Sequence, residues 1–231
     1  MGLAAQINSN DMYDIPDSET GKRAVLKINH DSGVWEADEL QLSDKIEVIL
    51  VKGVFIRTMM NDNHDNPVVL CKSLDFIEGK GNPGGACIKC GFEKFVDDKK
   101  PDCSKCLELH FVVWNKATGQ FDGYVQYARS TAYSIARKLI NNLHKADTLP
   151  FAFKIELSLK AKSYGAKTYY VPIYTVKDSL PEAQIEAIYN DVLTPLNAEI
   201  AQRVDEWRNK PQDSDDSGIL QDEYVEDFDG F

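Results

Sequence analysis

Long hydrophobic runs are missing from this chain. No stretch approaches the roughly 18 consecutive apolar residues of a membrane-crossing helix, so no such span is expected. The opening Met1-Gly2-Leu3-Ala4-Ala5-Gln6 lacks the basic and apolar regions of a signal peptide, and none is expected. Gln6 also stands where N-myristoylation wants Ser or Thr. Histidine is scarce: His30, His64, His110 and His144 are scattered and have no motif partner. There is no P-loop, GxSxG or HExxH, and no carboxylate pair set around a histidine. The glycine-rich run from Gly79 to Gly85 lacks both the GK[ST] ending and a following helix. Catalysis is therefore not expected. Internal repeats are absent too.

Excess positive charge is lacking as well, since the net charge is −11 across 231 residues. That figure is unevenly spread. Residues 212–231 hold eight acids and no base, which leaves residues 1–211 with 26 bases against 29 acids. Inside that body, residues 123–175 carry eight bases against Asp147 and Glu156, a net of +6. An anionic ligand is not excluded.

Residues 1–21 are polar, lack a hydrophobic period and are expected to be a flexible arm. Strands are expected at 24–28, 46–60, 68–71, 107–114, 121–127, 151–159 and 168–176. Gly53 lies inside the long second run and suggests a bulge or bend. Apolar residues from Ala132 to Leu143 recur at helical spacing, which predicts a helix over about 130–145 with Ser130 as N-cap. A helical region at 178–211 follows, with Ser179 and Glu182 in capping-box spacing and Pro195 expected to kink or restart it. The packing of these helices, back on the sheet or against another protein, stays open. The tail, 212–231, has no periodicity and is expected to be disordered.

Four of five cysteines fall as Cys87-x2-Cys90-x12-Cys103-x2-Cys106. Two such knuckles can offer four thiolates to one tetrahedral Zn2+, making residues 79–106 a zinc ribbon with one structural ion per chain. Gly91 and Pro101 suit the turns, and Lys89 and Lys105 offset the charge. Paired disulfides fit less well without a secretory signal and with Cys71 left over. A redox CxxC would need a βαβ context that is missing.

Single-stranded nucleic acid is bound where cations meet exposed aromatic faces. Candidates here are Phe55, Arg57, Trp114, Tyr124, Arg129, Lys154, Lys160, Lys162, Tyr164, Lys167, Tyr170 and Tyr174. The strand parity expected is Phe153, Ile155 and Leu157 inward with Lys154 and Lys160 outward, and Tyr169, Val171 and Ile173 inward with Tyr170 and Tyr174 outward. Any one of these tyrosines could instead be an ordinary half-buried strand residue.

The tail alternates acids with apolar groups: Asp222, Glu223, Tyr224, Glu226, Asp227, Phe228, Asp229 and a terminal Phe231. Such a segment can dock on a basic, apolar pocket of a partner, or compete with nucleic acid for the protein's own groove. A purely solubilising tail is the plainer alternative.

The order of a bent strand, further strands, a helix and a final strand pair over residues 22–177 resembles an OB-fold, a five-stranded barrel that commonly binds oligonucleotides. With the inserted zinc ribbon, C-terminal helices and acidic Phe-terminated tail, the chain resembles the bacteriophage single-stranded DNA-binding proteins. The Gly230-Phe231 ending departs from the proline-phenylalanine ending of the bacterial proteins of that kind. The resemblance implies sequence-tolerant ssDNA binding in replication, recombination or repair, in the host cytoplasm and off the membrane. It implies that the tail recruits polymerase, helicase or recombination proteins, and it is compatible with a homo-oligomer. The alternative is a zinc-ribbon adaptor for transcription or assembly that acts mainly through protein contacts.

Overall fold

The structure, a computed structural model, describes residues 23–38, 40–60, 69–92, 102–165 and 167–209. The expected N-terminal arm, the acidic tail with its docking residues, Pro101 and the side chain of Tyr164 lie outside them. The strands in chain order are β1 (Ala24–Asn29), β2 (Val34–Ala37), β3 (Leu40–Gln41), β4 (Lys45–Met60) and β5 (Val69–Ser73). Next come β6 (Glu78–Gly81), β7 (Gly85–Ala86), β8 (Cys103–Asn115), β9 (Gln120–Arg129), β10 (Phe153–Tyr164) and β11 (Lys167–Ser179). Helix α1 (Ser130–Lys145) lies between β9 and β10. After β11 come α2 (Glu182–Ala187), a π-helical turn (Ile188–Leu193) and α3 (Thr194–Asn209). No helix among the described residues is long and apolar enough to cross a membrane.

The chain divides into two compact units, Met1–Val54 with Leu107–Asn197 and Phe55–Cys106 with Ala198–Phe231. Strand order in the first is β3-β2-β1-β9-β8-β4, with β10 paired to β4 and β11 to β10. Pairing is antiparallel at β1–β2, β2–β3, β4–β10 and β10–β11, and parallel at β1–β9, so the sheet is mixed. It is also open. A closed five-stranded barrel would need β9 and β11 paired, but β9 takes β1 beside it, and among the described residues β11 pairs with β10 alone. Between β9 and β11 there is instead a side-chain link, in which Tyr174 Oη donates to Gln126 Oε1 at 2.8 Å.

Leu50, Leu107, Leu109, Phe111, Ile155 and Leu157 are fully buried in this unit. Each such burial stabilises by about 1.5–3 kcal/mol. Ala136, Leu139 and Leu143 form the buried stripe of α1, as their three- and four-residue spacing predicts. Gly53 does not break β4. A Cβ there would stand 3.1 Å from Ile140 Cδ1 and 3.4 Å from Leu107 Cδ1, so glycine lets the helix approach the strand. The irregularity in β4 lies at Met59/Met60 instead.

The expected caps differ too. Ser130 is the first residue inside α1 with φ +48°, and Arg129 stands at the N-cap position, where no side chain caps the helix. Ser179 ends β11, and Pro181 precedes α2, so the Ser179/Glu182 capping box does not form. Pro195 lies just after the π-helical turn, where a widened turn accommodates its missing N–H. Ile188 and Leu196 are fully buried, and the Phe151 and Tyr189 rings lie 6.4 Å apart. This stretch therefore packs back within the first unit.

In the second unit, β4 pairs with β5, β5 with β6 and β6 with β7, all antiparallel. Gly81, opposite Cys71, has φ +111°, and a Cβ there would meet Leu70 O at 2.0 Å. Only glycine fits. The end of α3 is held by Arg208 Nη2 on Asp75 Oδ2 at 3.0 Å and by Lys80 over the Trp207 ring at 5.6 Å.

Candidate nucleic-acid interface

The β10–β11 hairpin is longer than the sheet that carries it. β10 pairs with β4 only from Lys154 to Ser158, whereas its pairing with β11 continues out to Tyr164 and Lys167. The distal part is a two-stranded ribbon. Cross-strand partners share a face, so Lys160 with Val171 and Lys162 with Tyr169 present one side of it. Lys160, Lys162 and Lys167 are exposed, Tyr169 is half-buried and Val171 is buried. The ribbon is braced from its other side. Tyr170 donates its backbone N–H to His30 Nδ1 at 3.1 Å, and its ring lies where a Cβ on Gly33 would be, 2.5 Å from Cζ.

This register departs from the expected parity of β11 at the tyrosines and Ile173, while Val171 is buried as expected. Tyr174 pairs with Leu157 and shares its inward face, while Tyr169 and Ile173 share the face of the lysines. Pairing register decides which side chains face out, and a shift of one residue exchanges the two sets. Burial pushes the Tyr174 phenol up, opposed by its bond to Gln126. Tyr170 and Tyr174 are thus braces rather than open stacking faces. Tyr169 is the residue that the sequence reading left out; the signal for it was its place opposite Lys162.

The remaining candidates are dispersed. Tyr124 is 1% exposed in the core. Lys154 is paired with Glu47 at 2.8 Å. Arg129 is half-buried at the end of β9. Trp114 is 40% exposed with its ring 4.9 Å from Phe121, edge to face, a small aromatic patch on the β8–β9 hairpin. Phe55 and Arg57 belong to the second unit, where both lie against Phe76, the Arg57 guanidinium 4.2 Å from the ring centre. Arg57 is buried there.

The zinc ribbon built on Cys87, Cys90, Cys103 and Cys106 is corrected by the structure. Among the described residues no group of three or more His, Cys, Asp or Glu side chains is set to hold a metal ion. The physical reason is visible in the second pair. Cys103 and Cys106 lie within the extended β8, where residues three apart point to opposite faces, so they form no knuckle. Cys106 is fully buried. None of the five cysteines is in a disulfide. Burial pushes the Cys103 thiol up to about 11; Arg57 pulls it down, and Cys90, Cys71 and Cys87 add to the rise. Cys71 is raised by burial as well, against a hydrogen bond from the Gly84 backbone.

Comparisons with protein-family models, curated proteins and solved structures give no match to this chain.

Proposed function

We propose that this chain binds single-stranded DNA with little sequence preference, and that the distal β10–β11 ribbon is the primary contact. The observation that carries this reading is the placing of Lys160 and Lys162 on one face with Tyr169, with Lys167 at the ribbon's end. Lysines supply phosphate contacts without reading bases, and an aromatic ring accepts any unstacked base. The strand order β9-β8-β4-β10-β11, with α1 between β9 and β10, supports an OB-like arrangement whose last edge is bridged by Tyr174 and Gln126 rather than by backbone pairing. The exposed Trp114 offers a second stacking face. The acidic segment 212–231, with Tyr224 and Phe228 among its acids, fits a dual role, recruiting replication proteins and competing with DNA for the lysine face.

Titration of the full chain with oligo(dT) at two salt concentrations, read by Trp and Tyr fluorescence, tests the reading. Strong quenching that weakens with salt and exceeds that with duplex supports it. No quenching, or a preference for duplex, overturns it in favour of an adaptor acting through protein contacts. Removal of residues 212–231 should tighten binding; unchanged affinity removes the competition.

A further inference from the structure

The turn that joins β1 to β2 reaches the outer edge of the β10–β11 ribbon. Asn29 builds that turn: its Oδ1 accepts the Asp31 and Ser32 N–H groups at 3.0 and 2.9 Å, and its backbone oxygen accepts the Gly33 N–H at 2.9 Å. Gly33 has φ +68° and lies buried against the Tyr170 ring, where no Cβ fits. The turn presents His30, itself exposed to solvent, with Nδ1 3.1 Å from the Tyr170 backbone nitrogen. That N–H points away from β10, because successive amides of a strand alternate between its two edges. Two residues on, the same outer edge reaches Pro172, which has no N–H to offer. Beyond Ser158 the ribbon is no longer paired with β4. The bond to His30 and the seating of the Tyr170 ring tie it to the β1–β2 hairpin instead.

We propose that His30 is a positioning residue for the lysine face, holding the ribbon in its binding geometry only while its imidazole is neutral. This rests on the reading of the ribbon as the ssDNA contact. The bond itself fixes the protonation state. Nδ1 accepts from the Tyr170 amide, so it carries no hydrogen, and the proton of the neutral ring is on Nε2. An imidazolium carries hydrogen on both nitrogens and cannot accept. Protonation and the brace therefore exclude each other, and imidazole is the side chain that changes charge between about pH 5 and 8. Tyr170 stands between Tyr169, opposite Lys162, and Val171, opposite Lys160, so releasing its amide loosens the strand at the centre of that face. The charged and titratable groups around the bond come from three strands and the turn. Asp31 is exposed beside His30, and Glu36 accepts from Asn29 Nδ2 at 2.6 Å. The Tyr169 and Tyr170 phenols belong to β11, and Lys160 and Lys162 lie on the ribbon face opposite to Tyr170.

The test is an oligo(dT) titration of the parent, His30→Ala and His30→Asn at about pH 7.5 and about pH 5.5, at one salt concentration. Losing one hydrogen bond corresponds to about 2- to 12-fold in affinity, and the parent should weaken by that amount on acidification. His30→Ala should be weakened already at the higher pH. Asparagine sets an amide oxygen near the place of Nδ1 and does not protonate, so His30→Asn should recover the affinity and keep it at the lower pH. The other histidines titrate alike in all three chains, so the difference between parent and His30→Asn isolates His30. An equal pH response in those two overturns the proposal. So does a parent that tightens on acidification relative to His30→Asn, which would make the imidazolium a phosphate contact. NMR of the DNA-free parent separates the brace from the DNA reading: the Tyr170 amide resonance should move together with the titration of the His30 ring nitrogens. A Tyr170 amide that stays still while His30 titrates overturns the brace. A parent that binds no oligo(dT) at either pH removes the ssDNA reading, and with it the positioning role, even where the amide follows His30.

Discussion

Lys162 stands directly opposite Tyr169 across the β10–β11 hairpin, beyond the last residue at which β10 pairs with β4. A cation and an aromatic ring are thereby held side by side on a ribbon stiffened by its own backbone ladder. Substituting Tyr169→Ala should remove one stacked base, costing about 1–3 kcal/mol, or roughly 5- to 150-fold in ssDNA affinity. Tyr169→Phe should keep most of the affinity. The combined Lys160→Ala, Lys162→Ala, Lys167→Ala chain should lose affinity for all sequences alike. Its dependence of log K on log salt should flatten by about 2, since each single-strand phosphate contact contributes about 0.7. Fluorescence titration over a salt series reads both; a salt slope equal to the parent's would remove the ribbon from the interface.

The link between Tyr174 and Gln126 gives a stability prediction. Gln126 is buried, so Tyr174→Phe leaves its side-chain oxygen without that donor, at a cost of about 1–3 kcal/mol in urea unfolding. The pH dependence carries a sign. Burial raises the folded-state phenol, so its contribution is fully present below the unfolded value of about 10 and is lost as pH climbs from there towards the folded value. Above pH about 10 the parent should lose stability faster than Tyr174→Phe. Parallel curves would show that the phenol is not protected from ionisation.

Much of the first unit was legible in the letters because its signals are local. The stripe of α1, the long β4 and the β8–β9 hairpin follow from period and turn residues within short windows. What failed depends on distant partners. The inward face of β11 is decided by its register on β10, and alternating Tyr-Tyr-Val-Pro-Ile-Tyr reads equally well in either parity. The cysteine reading failed for a related reason. The spacing Cys103-x2-Cys106 matches a knuckle only if the chain turns there, and the strand pattern running into Leu107 and Leu109 keeps it extended. The place of Cys71 opposite Gly81 is set by β5–β6 pairing, which no local motif encodes. Gly53 was correctly singled out as a special position, but it serves helix approach rather than a bend.

A buried polar pair should be costly to break singly and cheap to remove whole. Glu108 and His110 are both buried on β8 with Oε1 and Nε2 2.7 Å apart. Glu108→Leu alone strands a buried imidazole and should cost about 3 kcal/mol or more. The double substitution Glu108→Leu, His110→Leu should cost less than the sum of the two singles, with a coupling of at least about 1 kcal/mol. Chemical denaturation of the four chains measures this; strict additivity would mean that the contact contributes nothing.

In the second unit, Asp75 provides an acid-sensitive hold on the end of α3. Burial pushes its carboxyl up, but this is outweighed by hydrogen bonds from the Glu78 and Ile77 amides and from Arg208 and Ser73, which leave it below the usual carboxylate value. Arg208 reaches Oδ2 through Nη2 at 3.0 Å and Nε at 3.3 Å. A depressed folded-state value means that the contribution is present above the unfolded value of about 3.9 and is lost as pH falls through the folded one. Helix content monitored from pH 6 down to about 2 should therefore show an acid transition that begins near pH 4. Asp75→Asn removes the titrating group and should lower stability at pH 6 while flattening that transition. Arg208→Ala should raise the Asp75 value and narrow the pH window over which stability is lost. If Asp75→Asn instead unfolds with the parent's pH profile, the acid sensitivity resides in other carboxylates and the hold is not electrostatic.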